Sequence, residues 1–86
     1  MPELCRFYGI VVRMRYNDHD PPHFHAVYGG DEIQISIDNL DILSGRLPPR
    51  AVRLVMEWAS LRQEELREAW ERRTRQEPIE TIEPLP

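Results

Sequence analysis

Residues 23–38, HFHAVYGGDEIQISID, decide the fold. Two runs of strand-forming residues flank Gly29-Gly30, and a glycine pair in that position is a tight-turn signal. On its far side, Glu32 to Asp38 alternates strictly. Ile33, Ile35 and Ile37 point one way; Glu32, Gln34, Ser36 and Asp38 point the other. That period of two marks a half-buried strand. On the near side, His23 to Tyr28 reads as a second short strand, so the segment is a hairpin with one face on a core.

Working outward toward the N-terminus, Arg6 to Tyr16 (RFYGIVVRMRY) is rich in β-branched and aromatic residues and reads as one strand. Tyr8, Ile10, Val12 and Met14 form its expected core face, and Phe7, Gly9, Val11, Arg13 and Arg15 the other. Gly9 marks a bulge or a close backbone approach. Asn17 to Pro22 (NDHDPP) is a turn by composition. Toward the C-terminus, Asp41 to Ser44 reads as a fourth, edge strand ended by Gly45. Pro48-Pro49 then opens a helix, with an apolar stripe at Ala51, Leu54, Val55, Trp58, Leu61, Leu66, Ala69 and Trp70. A helix from Pro49 to Arg75 would be about 40 Å long, more than a small domain's diameter. Either its end projects or it breaks near Ser60, where Ser60-Leu61-Arg62-Gln63 matches a capping box.

The expected architecture is α+β: three or four mostly antiparallel strands with one long C-terminal helix packed on one face. One domain over residues 1–76 accounts for it, followed by an acidic, proline-containing tail, 77–86. In that tail Ile79, Ile82 and Leu85 are placed either to dock on the domain or a partner, or to form a loose terminus.

Composition narrows the function classes. The chain has 86 residues and one cysteine, Cys5, which excludes an internal disulfide and cysteine-rich zinc folds. A domain this short buries only about 60% of its unfolded surface, so a metal, an oligomer or unusually good packing is expected to help. No apolar run approaches a bilayer span and Met1 to Arg6 lacks a signal-peptide core, so a cytoplasmic location without membrane contact is expected. The net charge of −4 weighs against a free-standing nucleic-acid binder, although charge can be sorted by face. Every cation is an arginine. Arg46, Arg50 and Arg53 cluster at the helix start, either as a solvated face or as contacts for RNA phosphates.

All three histidines fall within seven residues, His19, His23 and His25 in DHDPPHFH. On a strand, His23 and His25 share a face roughly 6.5–7 Å apart. Two imidazoles at that spacing can converge on one metal, with His19 folding back from the turn as a third ligand. Three histidines and an open position suit a catalytic divalent transition metal such as zinc. Asp18 and Asp20 are further ligands, or acceptors that fix the imidazole tautomer. Without a metal, His23 and His25 can act as catalytic general acid and base on a phosphodiester, with Arg13 and Arg15 holding the phosphate. A purely structural reading packs the histidines against Tyr16, Pro21, Pro22 and Phe24. The residues leave these three open.

RFYGIVVRM, DHDPPHFHAVYGGDE, DILSGRLPPRAVRLVMEWA and the closing IEPL together resemble the bacterial family catalogued as domain of unknown function 4160, over Arg6 to Leu85. Asp18-His19 and Pro21-Pro22-His23-Phe24-His25-Ala26 are similar to that family's hallmark. The resemblance implies a small prokaryotic protein, often encoded beside a member of domain of unknown function family 2442. That pairing implies a component of a two-gene, toxin–antitoxin-like module acting through a protein partner. The alternatives are a small metal-dependent hydrolase or ribonuclease using His19, His23 and His25, and an RNA-binding or interaction module. A homo-oligomer is compatible with each.

Overall fold

A computed structural model describes residues 2–86. Its elements run β1 (Glu3–Phe7), β2 (Ile10–Arg13), β3 (His23–Tyr28), β4 (Asp31–Ser36), β5 (Ile42–Gly45), α1 (Pro49–Leu61) and α2 (Gln63–Thr74). The fold is α+β, as expected. The sheet has five strands in the order β1-β2-β3-β4-β5, every pair antiparallel. Short connections return each strand beside its predecessor.

The extra strand arises because Arg6–Tyr16 is not one strand. Tyr8 (φ 49°) and Gly9 (φ 81°) both take positive φ. Two such residues make the hairpin turn whose twist matches its flanking strands. Phe7 is thereby set opposite Ile10, and both are buried; an unbroken strand would have put them on opposite faces. Tyr8, expected on the core face, instead sits at the turn, 57% exposed. Gly9 supplies the left-handed turn conformation rather than a bulge.

The β3–β4 hairpin is as the alternation predicts. His23 to Tyr28 pairs with Asp31 to Ser36, and Ile33, Ile35 and Ile37 are fully buried. The same face of the sheet carries Ile10, Val12, Phe24 and Ala26, covered by Val55 and Trp58 of α1. The Trp58 ring lies 5.7 Å from Phe7 and 5.8 Å from Phe24. Each large side chain so buried contributes about 1.5–3 kcal/mol.

The expected single long helix is two. Arg62 (φ −120°, ψ 20°) separates α1 from α2. The break falls close to Ser60, but the capping box does not make it. The Ser60 hydroxyl donates back to the Glu57 carbonyl, and α2 begins without a side-chain cap. The Gln63 amide instead donates to the carbonyls of Ile37 (2.7 Å) and Asp38 (3.1 Å), pinning the junction to the end of β4. A straight helix of about 40 Å would overrun a molecule whose longest extent is 34 Å. Bending lets α2 bury Leu66, Ala69 and Trp70.

The tail lies against the domain. Ile82 and Leu85 are buried and Ile79 packs beside them. The Ile82 amide donates to the Leu4 carbonyl of β1, and the Trp58 indole donates to the Glu83 carbonyl. Among the described residues no helix is long and apolar enough to cross a membrane.

Two predictions follow from the fold. Gly45 (φ 79°) ends β5 where a Cβ would collide with the Glu32 carbonyl oxygen. Gly45→Ala is expected to destabilise the protein by about 1–3 kcal/mol, read as a lower thermal midpoint; an unchanged midpoint would contradict the packing described. Cys5 is buried, and burial, aided by the negative charge of Glu3, pushes its thiol up to about 12. Since the thiolate is the reactive form, Cys5 should resist alkylation in the native protein near pH 8 and react only in denaturant.

Candidate functional site

Along β3, Phe24 and Ala26 point into the core, so alternation sends His23 and His25 to the opposite face. Both imidazoles are buried there all the same, His23 with 8% and His25 with 1% of its side chain exposed. The NDHDPP loop encloses them, carrying Asp18 onto the two rings, which lie 5.1 Å apart and edge to face. The Ile37 amide donates to the Pro22 carbonyl and ties the loop's end to β4.

The contacts define the chemistry. His23 Nδ1 lies 2.9 Å from the Pro21 carbonyl oxygen. That oxygen only accepts, so the ring proton sits on Nδ1. His23 Nε2 then faces Asp18 Oδ2 at 3.3 Å. His25 has carboxylate oxygens at both nitrogens: Glu32 Oε2 is 2.9 Å from Nδ1, and Asp18 Oδ2 is 2.8 Å from Nε2. A neutral imidazole has one N–H to give. If His25 gives it to Glu32, then two Nε2 lone pairs and one carboxylate oxygen converge with no donor among them. Buried acceptors in that arrangement require a cation at their centre, either protons on the rings or a metal ion.

Asp18, His23 and His25 each offer one ligand atom, all within 4.8 Å of one another. That is the scale of a coordination sphere with bonds of about 2.0–2.2 Å. Glu32 and the Pro21 carbonyl occupy the positions that fix ligand tautomers in metal centres, each accepting from a ring's far nitrogen. The expected histidine trio is therefore not the convergent set. His19 is exposed and stands outside it, and Asp18 is the third member.

Of the two arginines expected to hold a phosphate, one is paired with Glu32 and the other adjoins His25 in the sheet. Arg15 Nη2 lies 3.5 Å from Glu32 Oε2, the same oxygen that meets His25. Arg13 sits directly opposite His25 in the β2–β3 register. Glu32, not singled out in the sequence, was findable: the Gly29-Gly30 hairpin puts it on the outward face of β4, beside His25.

Arg73 and Trp70 carried no such signal, because helical periodicity marks Trp70 only as core and Arg73 only as a cation near a helix end. Arg73 Nη1 donates to the carbonyls of Tyr16 (2.7 Å) and Asp18 (2.8 Å). Its guanidinium stacks 3.8 Å over Trp70, whose ring is 5.5 Å from that of His23. The end of α2 thus clamps the loop that carries Asp18. Arg73→Ala should cost about 1–3 kcal/mol and speed amide exchange in the loop, with Arg73→Lys in between. Unchanged loop exchange in Arg73→Ala would remove the clamp from this account.

Searches of curated proteins and of solved structures found no match. A family model described as Domain of unknown function (DUF4160) matches residues 9–71, a span that includes Asp18, His23, His25, Glu32 and Trp70. The chain belongs to that family.

Proposed function

We propose that the chain is a divalent transition-metal protein whose ion is held by Asp18, His23 and His25. One observation carries the reading. Each imidazole has its Nδ1 engaged by an acceptor outside the cluster, while both Nε2 atoms converge on a single carboxylate oxygen. Two imidazoles and a carboxylate suit zinc, iron, nickel or manganese rather than calcium or magnesium, which prefer oxygen. Asp18, His23 and His25 would hold the ion and leave a position for water, whose acidity the ion would raise toward the neutral range. A metal-dependent hydrolase of a small substrate is the reaction class that fits.

A second reading concerns a partner. The resemblance to a two-gene module calls for a protein-binding surface. The edge strand β5 offers one, with Ile42 48% and Leu43 43% exposed and no strand on its far side among the described residues. A partner strand from the neighbouring gene product, a member of family 2442, would pair there. Copurification of the two products, lost on charging Leu43, tests this reading separately.

The metal reading is tested by elemental analysis of untagged protein purified without chelators. Near-stoichiometric metal is expected in the wild type, with loss in Asp18→Asn and in His25→Ala. Glu32→Gln should keep the site but weaken it about 10–100-fold. A folded wild type that takes up no metal from a micromolar supply would refute the proposal and leave the cluster as a hydrogen-bond network.

A further inference from the structure

A second site lies at the other end of β3, on the opposite face of the sheet. Tyr8, Ile10, Tyr28, Pro48, Arg50, Ala51 and Leu54 enclose a cleft of about 350 Å³. It opens where the β1–β2 turn and the end of β3 face the start of α1. Tyr28 and His23 are the two ends of one strand, roughly 17 Å apart by strand rise, so the cleft is independent of the histidine cluster.

Its lining combines three features. The floor is apolar, from Ile10, Ala51 and Leu54. Two aromatic rings stand over it, Tyr8 57% and Tyr28 40% exposed. Both are held in place. The Tyr8 hydroxyl donates to the Pro86 carbonyl at 2.7 Å, and the Tyr28 ring sits over Gly9, where a Cβ would come within 3.2 Å of it. The third feature is charge. From Ile42 to Met56 the chain carries Arg46, Arg50 and Arg53 and no acidic residue. All three are exposed, and the salt bridges of the described residues lie elsewhere. The first turn of α1 has no acidic residue either. The segment that opens α1 is therefore locally cationic, and one of its arginines, Arg50, lines the cleft.

We infer that the cleft binds a nucleotide unit, its base against Tyr8 and Tyr28 and its phosphate on Arg50. Fixed aromatic faces beside a cationic strip are how proteins hold unpaired bases. Every base has a flat π-face, so the site is tolerant of sequence. An aliphatic anion would leave the tyrosine faces unused, and an uncharged ring would leave the arginines unused. The source is either a free nucleotide or a single strand of RNA.

The test is fluorescence anisotropy with a labelled single-stranded oligouridylate of about eight nucleotides, competed with unlabelled uridine monophosphate. Saturable binding is expected, falling steeply as salt rises. Tyr28→Ala and Arg50→Ala should each weaken it about tenfold or more, whereas Tyr28→Phe, which keeps the ring, should bind as the wild type does. Circular dichroism of each variant confirms that the fold persists. Displacement by the mononucleotide identifies a free nucleotide as sufficient; its failure to displace a bound strand identifies RNA. Absence of oligouridylate binding at low salt, or binding that both alanine variants retain, would overturn the inference.

Discussion

One carboxylate oxygen, Asp18 Oδ2, serves two buried imidazoles, and the local structure is arranged around that sharing. It sets two ring nitrogens against a single oxygen where the rings are almost wholly buried. The far nitrogens of the rings are fixed from outside by acceptors: the Pro21 carbonyl on one side, Glu32 braced by Arg15 on the other. A polar cluster of this kind is favourable only when complete, because each unpaired member bears its full desolvation cost. That explains why an otherwise irregular loop is held by a guanidinium, an aromatic ring and a strand end at once.

The helices divide the labour. α1 covers the sheet's apolar face through Val55 and Trp58 and belongs to the core. α2, turned aside at Arg62, contributes Trp70 and Arg73 to the loop over the opposite face. The bend is thus what allows one continuous helical sequence to serve both the packing of the core and the positioning of the histidines. Its anchor is a side-chain amide reaching two carbonyls at the end of β4, so the sheet itself sets the angle.

Much of this was legible in the sequence, and the failures have physical reasons. Period-two alternation located β4, because a one-residue slip would expose three isoleucines, and the glycine pair before it placed β3 alongside. The Tyr8-Gly9 turn was hidden because apolar residues continue on both sides of it, and a lone glycine reads equally well as a bulge. Length left two choices for the helix, a projecting end or a break, and did not decide between them, because the cause lay in a contact with β4 that local signals do not encode. Clustering drew attention to His23 and His25. It also overvalued His19, since the chain direction of a proline-rich loop decides which neighbour turns inward, and here that neighbour is Asp18.

The two edges of the sheet are unequal. Along β1 the C-terminal segment donates one backbone hydrogen bond, from the Ile82 amide to the Leu4 carbonyl, and buries Ile82 and Leu85 beside it. β5 has no such cover. The sheet therefore has one margin that is exposed along its whole length, at β5, and one that the C-terminal segment shields in part, at β1, and an unshielded margin is where a further strand can pair.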